Sequence, residues 1–217
     1  MSMKIAVVLC CFFFVPELFA APKPHSVYFG RWTTVKYVPE DGQGKSVDMK
    51  VRALIVDGRT KEFTTGAAHD ITERVFVVQR TYRLNDLLPQ ETGTPRWRWE
   101  RGSWLLVDRT TGKVQAIILP EFDSSRSEVS WFRDFAAYCG ISDDGKKAFT
   151  VVAQVGKRKA LLKKVLETKE PTRGCHGPMW QRDPARVSFA PDGEAGFTFT
   201  VSSHAVDLVS DDEGEDE

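Results

Sequence analysis

Apolar and polar residues alternate in short bursts along most of this chain. From Val47 to Val56 (VDMKVRALIV), Val47, Met49, Val51, Ala53 and Ile55 point one way, and Asp48, Lys50 and Arg52 point the other. That period of two is what a half-buried strand requires. Residues 27–38 (VYFGRWTTVKYV) and 75–84 (VFVVQRTYRL) are dense in β-branched and aromatic side chains, which suit a pleated surface. Residues 96–107 continue as strand with an interruption near Gly102, and 104–108 and 114–119 flank a turn at Arg109 to Lys113. Residues 132–142, 148–155, 186–190 and 196–202 add further strands. Asp57-Gly58, Thr111-Gly112, Asp144-Gly145 and Asp192-Gly193 supply tight turns between them. Residues 86–95 and 170–183 carry prolines and glycines and read as loops. Only Ala160 to Leu166 (ALLKKVL) could form a helical face, through Leu161, Leu162, Val165 and Leu166. Its shortness and its hairpin flanks favour strand. The pattern predicts an all-β antiparallel meander, with a β-sandwich or barrel as the alternative.

Three of these segments share a particular turn chemistry. Ser142-Asp143-Asp144-Gly145-Lys146-Lys147 runs into the apolar stretch Ala148 to Ala153. Phe189-Ala190-Pro191-Asp192-Gly193 repeats the P-D-G type of turn, and Trp104 to Lys113 carries a D-x-x-T-G-K connection. These segments resemble the repeats of TolB-like β-propellers. The resemblance implies four-stranded blades in a small or partial propeller-like array. It also implies a binding scaffold, and it carries no catalytic residues to this chain.

The N-terminus departs from the strand pattern. Lys4 precedes an apolar run from Ile5 to Val15, which Pro16 breaks, and Ala20 follows. This is the layout of a secretory signal peptide over residues 1–20, cut after Ala20. The run is shorter than the about 20 apolar residues that cross a bilayer, so no membrane span is expected after cleavage. The expected location is the periplasm or the outside of the cell. Residues 21–210 then form a single all-β domain, and 211–217 (DDEGEDE) form a disordered acidic tail.

Charge and cysteine content refine this picture. The chain has 30 basic and 30 acidic residues, but six of the acidic ones fall in the tail and Lys4 and Glu17 fall in the signal. Residues 21–210 therefore carry 29 basic against 23 acidic side chains, too small an excess to point to nucleic acid. Cys139 and Cys175 remain after cleavage. An even pair in an exported chain reads as one disulfide. It closes a loop of about 37 residues, worth on the order of 4 kcal/mol by chain entropy. A metal site from Cys139, Cys175 and His176 lacks the usual ligand spacing.

Candidate chemistry is sparse. Gly42-Gln43-Gly44-Lys45-Ser46 resembles the end of a phosphate loop, but Pro39 stands where the first glycine belongs, and the segment joins two strands. No G-x-S-x-G elbow occurs. His69-Asp70 offers a base with a neighbouring carboxylate, or simply a turn before a strand. Trp97, Trp99 and Trp104 make the strongest candidate for ligand binding: Trp97 and Trp99 share one strand face, with Arg96, Arg98 and Glu100 on the other. Such rings stack on sugars or hold a peptide, and they also fill cores. No catalytic residue, cofactor or metal is expected. The reading is an exported, non-catalytic module for a protein or a cell-envelope polymer. A small secreted hydrolase with no recognisable motif is the alternative.

Overall fold

A computed structural model describes residues 25–39, 44–142, 144–167, 177–191, 195–202 and 206–208. The expected signal peptide, Cys175 and the acidic tail lie outside the described residues. Among the described residues the secondary structure is β throughout, in fifteen strands and three sheets.

The first sheet contains β1 (Val27–Phe29), β2 (Thr33–Tyr37), β3 (Val47–Val56), β4 (Arg59–Asp70), β5 (Val75–Asn85), β6 (Trp97–Asp108) and β7 (Val114–Ala116). β3, β4, β5 and β6 follow one another as antiparallel neighbours. β2 pairs antiparallel with β3 and bridges in parallel to β6 at Tyr37 and Trp99. Strands β2 to β6 thereby close into a ring. The β3–β4 hairpin turns on Asp57 and Gly58, with φ of 53° and 74°. Both residues are left-handed, as the Asp-Gly pair predicts for a two-residue turn whose twist matches its strands.

The second sheet is a meander of β8 (Ser130–Phe132), β9 (Phe135–Ile141), β10 (Ala148–Gln154) and β11 (Leu162–Leu166). The third is a meander of β12 (Met179–Gln181), β13 (Arg186–Phe189), β14 (Phe197–Val201) and β15 (Val206–Leu208). Residues 162–166 are strand, as their flanks suggest. Residues 179–181, read as loop, form β12. A stretch with two prolines and two glycines masks a short strand that is fixed by pairing with β13.

The second sheet sits between the other two. Every residue of β9 is buried, as are six of the seven residues of β10. That accounts for their largely apolar sequences, interrupted in β10 only by Thr150 and Gln154, since a strand covered on both faces has no polar side to show. One face packs Ala136, Tyr138, Phe149 and Val151 against Val77 and Trp104 of the first sheet. The other packs Phe135, Ala137, Cys139 and Val152 against Val187, Phe189, Phe199 and Val201 of the third. Tyr138 is fully buried, and its hydroxyl donates to the Pro120 carbonyl at 2.6 Å. Burial, with the nearby Glu121 carboxylate, pushes this phenol far above its ordinary range.

Candidate functional site

Two irregularities in the first sheet build a cleft. Thr65 pairs with Gln79 and His69 with Val77, so Gly66, Ala67 and Ala68 of β4 bulge out opposite Val78 alone. Gly66 takes φ 69°, and a side chain there would meet open space. On β6, Arg101 faces Thr81 and Trp104 faces Gln79, which leaves Gly102 and Ser103 opposite Arg80. The extra residue on β6 keeps Arg101 and Trp104 on one face of the sheet. Gly102 fits because a β-carbon there would stand 2.9 Å from the ring of Tyr82.

Opposite these bulges runs the segment that leads into β8. Asp123 organises it: its Oδ1 accepts from the Ser125 amide and hydroxyl, and its amide donates to the Ser127 hydroxyl. Between this segment and the bulges lies a cleft of about 730 Å³. Such a volume falls in the range of small-ligand sites. His69, Arg101, Trp104, Arg126, Glu128 and Trp131 bring the chemistry to its lining. Trp104 and Trp131 meet edge to face, with centroids 5.1 Å apart. The His69 ring stacks on Trp131 at 6.0 Å and 19°. Its Nε2 donates to the Arg133 carbonyl at 2.8 Å, which fixes the ring. Arg101 holds its guanidinium over the Tyr37 ring at 5.5 Å. Arg126 reaches Asp123 at 4.0 Å.

The sequence-based candidates divide between this cleft and another part of the sheet. Trp104, 8% exposed, lines the cleft and belongs to the core behind it. Trp99 packs edge to face on Phe63 in a separate cluster with Tyr37, Met49 and Val51. Trp97 is 58% exposed. Arg83 places its guanidinium 5.6 Å from the Trp97 ring and 5.5 Å from the Trp99 ring, so both indoles already stand beside a cation. Arg96 pairs with Glu91, and Arg98 pairs with Glu100. The arginine face expected beside the tryptophans therefore carries its own counter-charges.

The His69-Asp70 pair does not form a base with its orienter. Asp70 pairs with Arg109 at 2.6 Å, while His69 turns to Arg133. Successive residues on a strand point to opposite faces, which separates the two. Gly44 lies in the β2–β3 connection, and a strand follows it rather than a helix. Among the described residues no group of three His, Cys, Asp or Glu side chains is placed to hold a metal, and no helix is long and apolar enough to cross a membrane.

Arg101, Arg126, Glu128 and Trp131 escaped the sequence reading. Arg126, Glu128 and Trp131 come from a stretch without periodicity (PEFDSSRSEVSW). The available signal was glycine within strand sequence, at Gly66 and Gly102, which marks bulges and close backbone approach. Comparison of the chain with protein-family models, with curated proteins and with solved structures finds no match.

Proposed function

We propose that this chain is an exported, non-catalytic binding module for a protein or a cell-envelope polymer, and that the cleft between the first two sheets is its ligand site. The observation that carries this reading is the composition of the cleft wall. Cations, one carboxylate and an aromatic pair converge on one open space, held by two bulges and an ordered segment. Bulges are common where a sheet re-aims side chains toward a site. The arrangement favours holding over turnover. Its one histidine is engaged through Nε2 with a carbonyl, and its sequence neighbour Asp70 serves Arg109. Export rests on the signal-like N-terminus and on the cysteine pair. Stacked four-stranded meanders also suit the propeller-like scaffold that the turn motifs imply.

The test is sedimentation of the mature chain, residues 21–217, with insoluble envelope material, beside a mass measurement on the protein from the native host. Expected are co-sedimentation that weakens when Arg101→Gln is introduced, and a mass that lacks residues 1–20. A protein that stays in the supernatant and turns over ester, peptide or glycoside substrates would overturn the reading in favour of a hydrolase.

A further inference from the structure

We propose that the cleft receives an anionic saccharide, a short sugar chain bearing carboxylate groups; this rests on the reading of the chain as a binding module. Sugars present two surfaces at once, an apolar C–H face and a rim of hydroxyls. The cleft matches both. Trp131, partly exposed and backed edge to face by the buried Trp104, supplies an aromatic wall together with the His69 ring stacked on it. Aromatic rings pack well against apolar faces that carry polar edges. Gln79 and Glu128 supply hydroxyl partners on the same lining. The Gln79 amide nitrogen donates to the Gly102 and Ser124 carbonyls, which fixes the orientation of its side chain on the lining.

The charge of the ligand follows from the cations. Arg101 and Arg126 line the cleft against one lining carboxylate, Glu128. Arg126 already has partners, Asp123 among them, so Arg101 is the cation that sets the charge of the ligand. Arg101 rests over the Tyr37 ring, and no carboxylate of the described residues forms an ion pair with it. It also borders the smaller neighbouring cavity of about 240 Å³ beside Tyr37 and Ser124, where the lining carboxylate Glu100 is paired with Arg98. A planar guanidinium pre-set on an aromatic face is suited to bidentate contact with a carboxylate. One arginine shared by two adjoining cavities suits a chain of sugar rings better than a single compact anion.

The decisive experiment is calorimetric titration of the mature chain with trigalacturonic acid, its fully methyl-esterified form and a neutral trisaccharide. The ester keeps the ring and removes the charge. Expected is binding of the acid at least tenfold tighter than of the ester, with affinity falling as NaCl rises. Arg101→Gln should lower affinity for the acid at least tenfold, Arg101→Lys should restore part of it, and Arg59→Gln, outside the cleft, should change nothing. Equal binding of acid and ester would overturn the anionic claim and leave the binding module standing. No binding of any sugar, with envelope co-sedimentation intact, would overturn the saccharide claim alone. Failure of both assays would remove the binding module as well.

Discussion

The backbone of Glu121 passes so close to Gly140 that a β-carbon on the glycine would lie 2.3 Å from the Glu121 carbonyl oxygen. The same oxygen accepts the Ile141 amide at 3.0 Å, and Glu121 itself has φ 55°. The connection from the first sheet to the second is thus pinned directly onto β9. Gly140→Ala must push backbone from backbone, and its expected cost is about 3 kcal/mol. Gly145 is the control: it has φ 69° but open space around its Cα, so Gly145→Ala should cost about 1 kcal/mol from conformation alone. Urea midpoints of the two variants measure the difference.

A second prediction concerns Tyr138 and Pro120. Tyr138→Phe keeps the ring, with its edge-to-face contact to Phe122. It leaves the Pro120 carbonyl without the hydroxyl donor that now stands 2.6 Å away. Removing one partner of a buried hydrogen bond costs about 1–3 kcal/mol. Thermal unfolding at pH 7 should show the loss with no change in the β-type far-ultraviolet spectrum.

Thr150 should behave in the opposite way. It is fully buried in β10 opposite Cys139, and its hydroxyl has no hydrogen-bond partner. Thr150→Val replaces that hydroxyl with a methyl group of similar size. A buried unpartnered polar group costs about 1–3 kcal/mol, so this variant should raise stability by about 1 kcal/mol. A denaturation midpoint at or below that of the parent would count against the packing described for the central sheet.

The strand pattern of β5, β9 and β10 was legible because apolar runs follow directly from burial on one or two faces. β3 was legible as a strand, but the face read from its alternation holds only at Met49 and Val51. Beyond them, where the register shifts between Leu54 and Ile55, Leu54 and Val56 are buried in place of Ala53 and Ile55. β4 was not legible: in RTKEFTTGAAHD the bulge at Gly66 to Ala68 breaks the alternation. The same irregularity hid the cleft. Its lining joins a bulge on β4, a bulge on β6 and a segment some twenty-five residues further on, and no local period connects them. Of the three tryptophans taken together as ligand-binding candidates, Trp104 lies in the cleft lining, while Trp97 and Trp99 stand with Arg83 elsewhere on the sheet.

Acid should weaken the fold through its turns. Arg74 donates to both oxygens of Asp108, and the amides of Thr110 and Thr111 donate to Oδ1. The Arg74 hydrogen bond leads in holding this carboxyl well below the usual range. Asp144 is lowered by the Ser142 hydroxyl and then by the Lys146 amide. A carboxyl with a depressed folded pKa contributes stability that is complete above its unfolded value, about 3.9 for Asp, and is lost as pH falls below that. The urea midpoint should therefore stay level from neutral pH down to about pH 5 and fall below about pH 4. Asp108→Asn should shrink that fall.

Cys139 is buried in β9 among Phe135, Ala137 and Val152. The expected bridge to Cys175 predicts that mature protein shows no free thiol when unfolded without reductant, and two after reduction. Reduction should lower stability by on the order of 4 kcal/mol in the chain-entropy account. Two thiols before reduction would end the disulfide claim.

The middle position of β9 and β10 also sets the order in which the molecule can come apart. Each outer sheet closes its contact with the rest of the molecule on a face of these two strands, so neither can lose them and keep that core. Amide hydrogens of β9 and β10 should be the last to exchange with deuterium, through opening of the whole domain, while those of β1 and β12 exchange through local fraying.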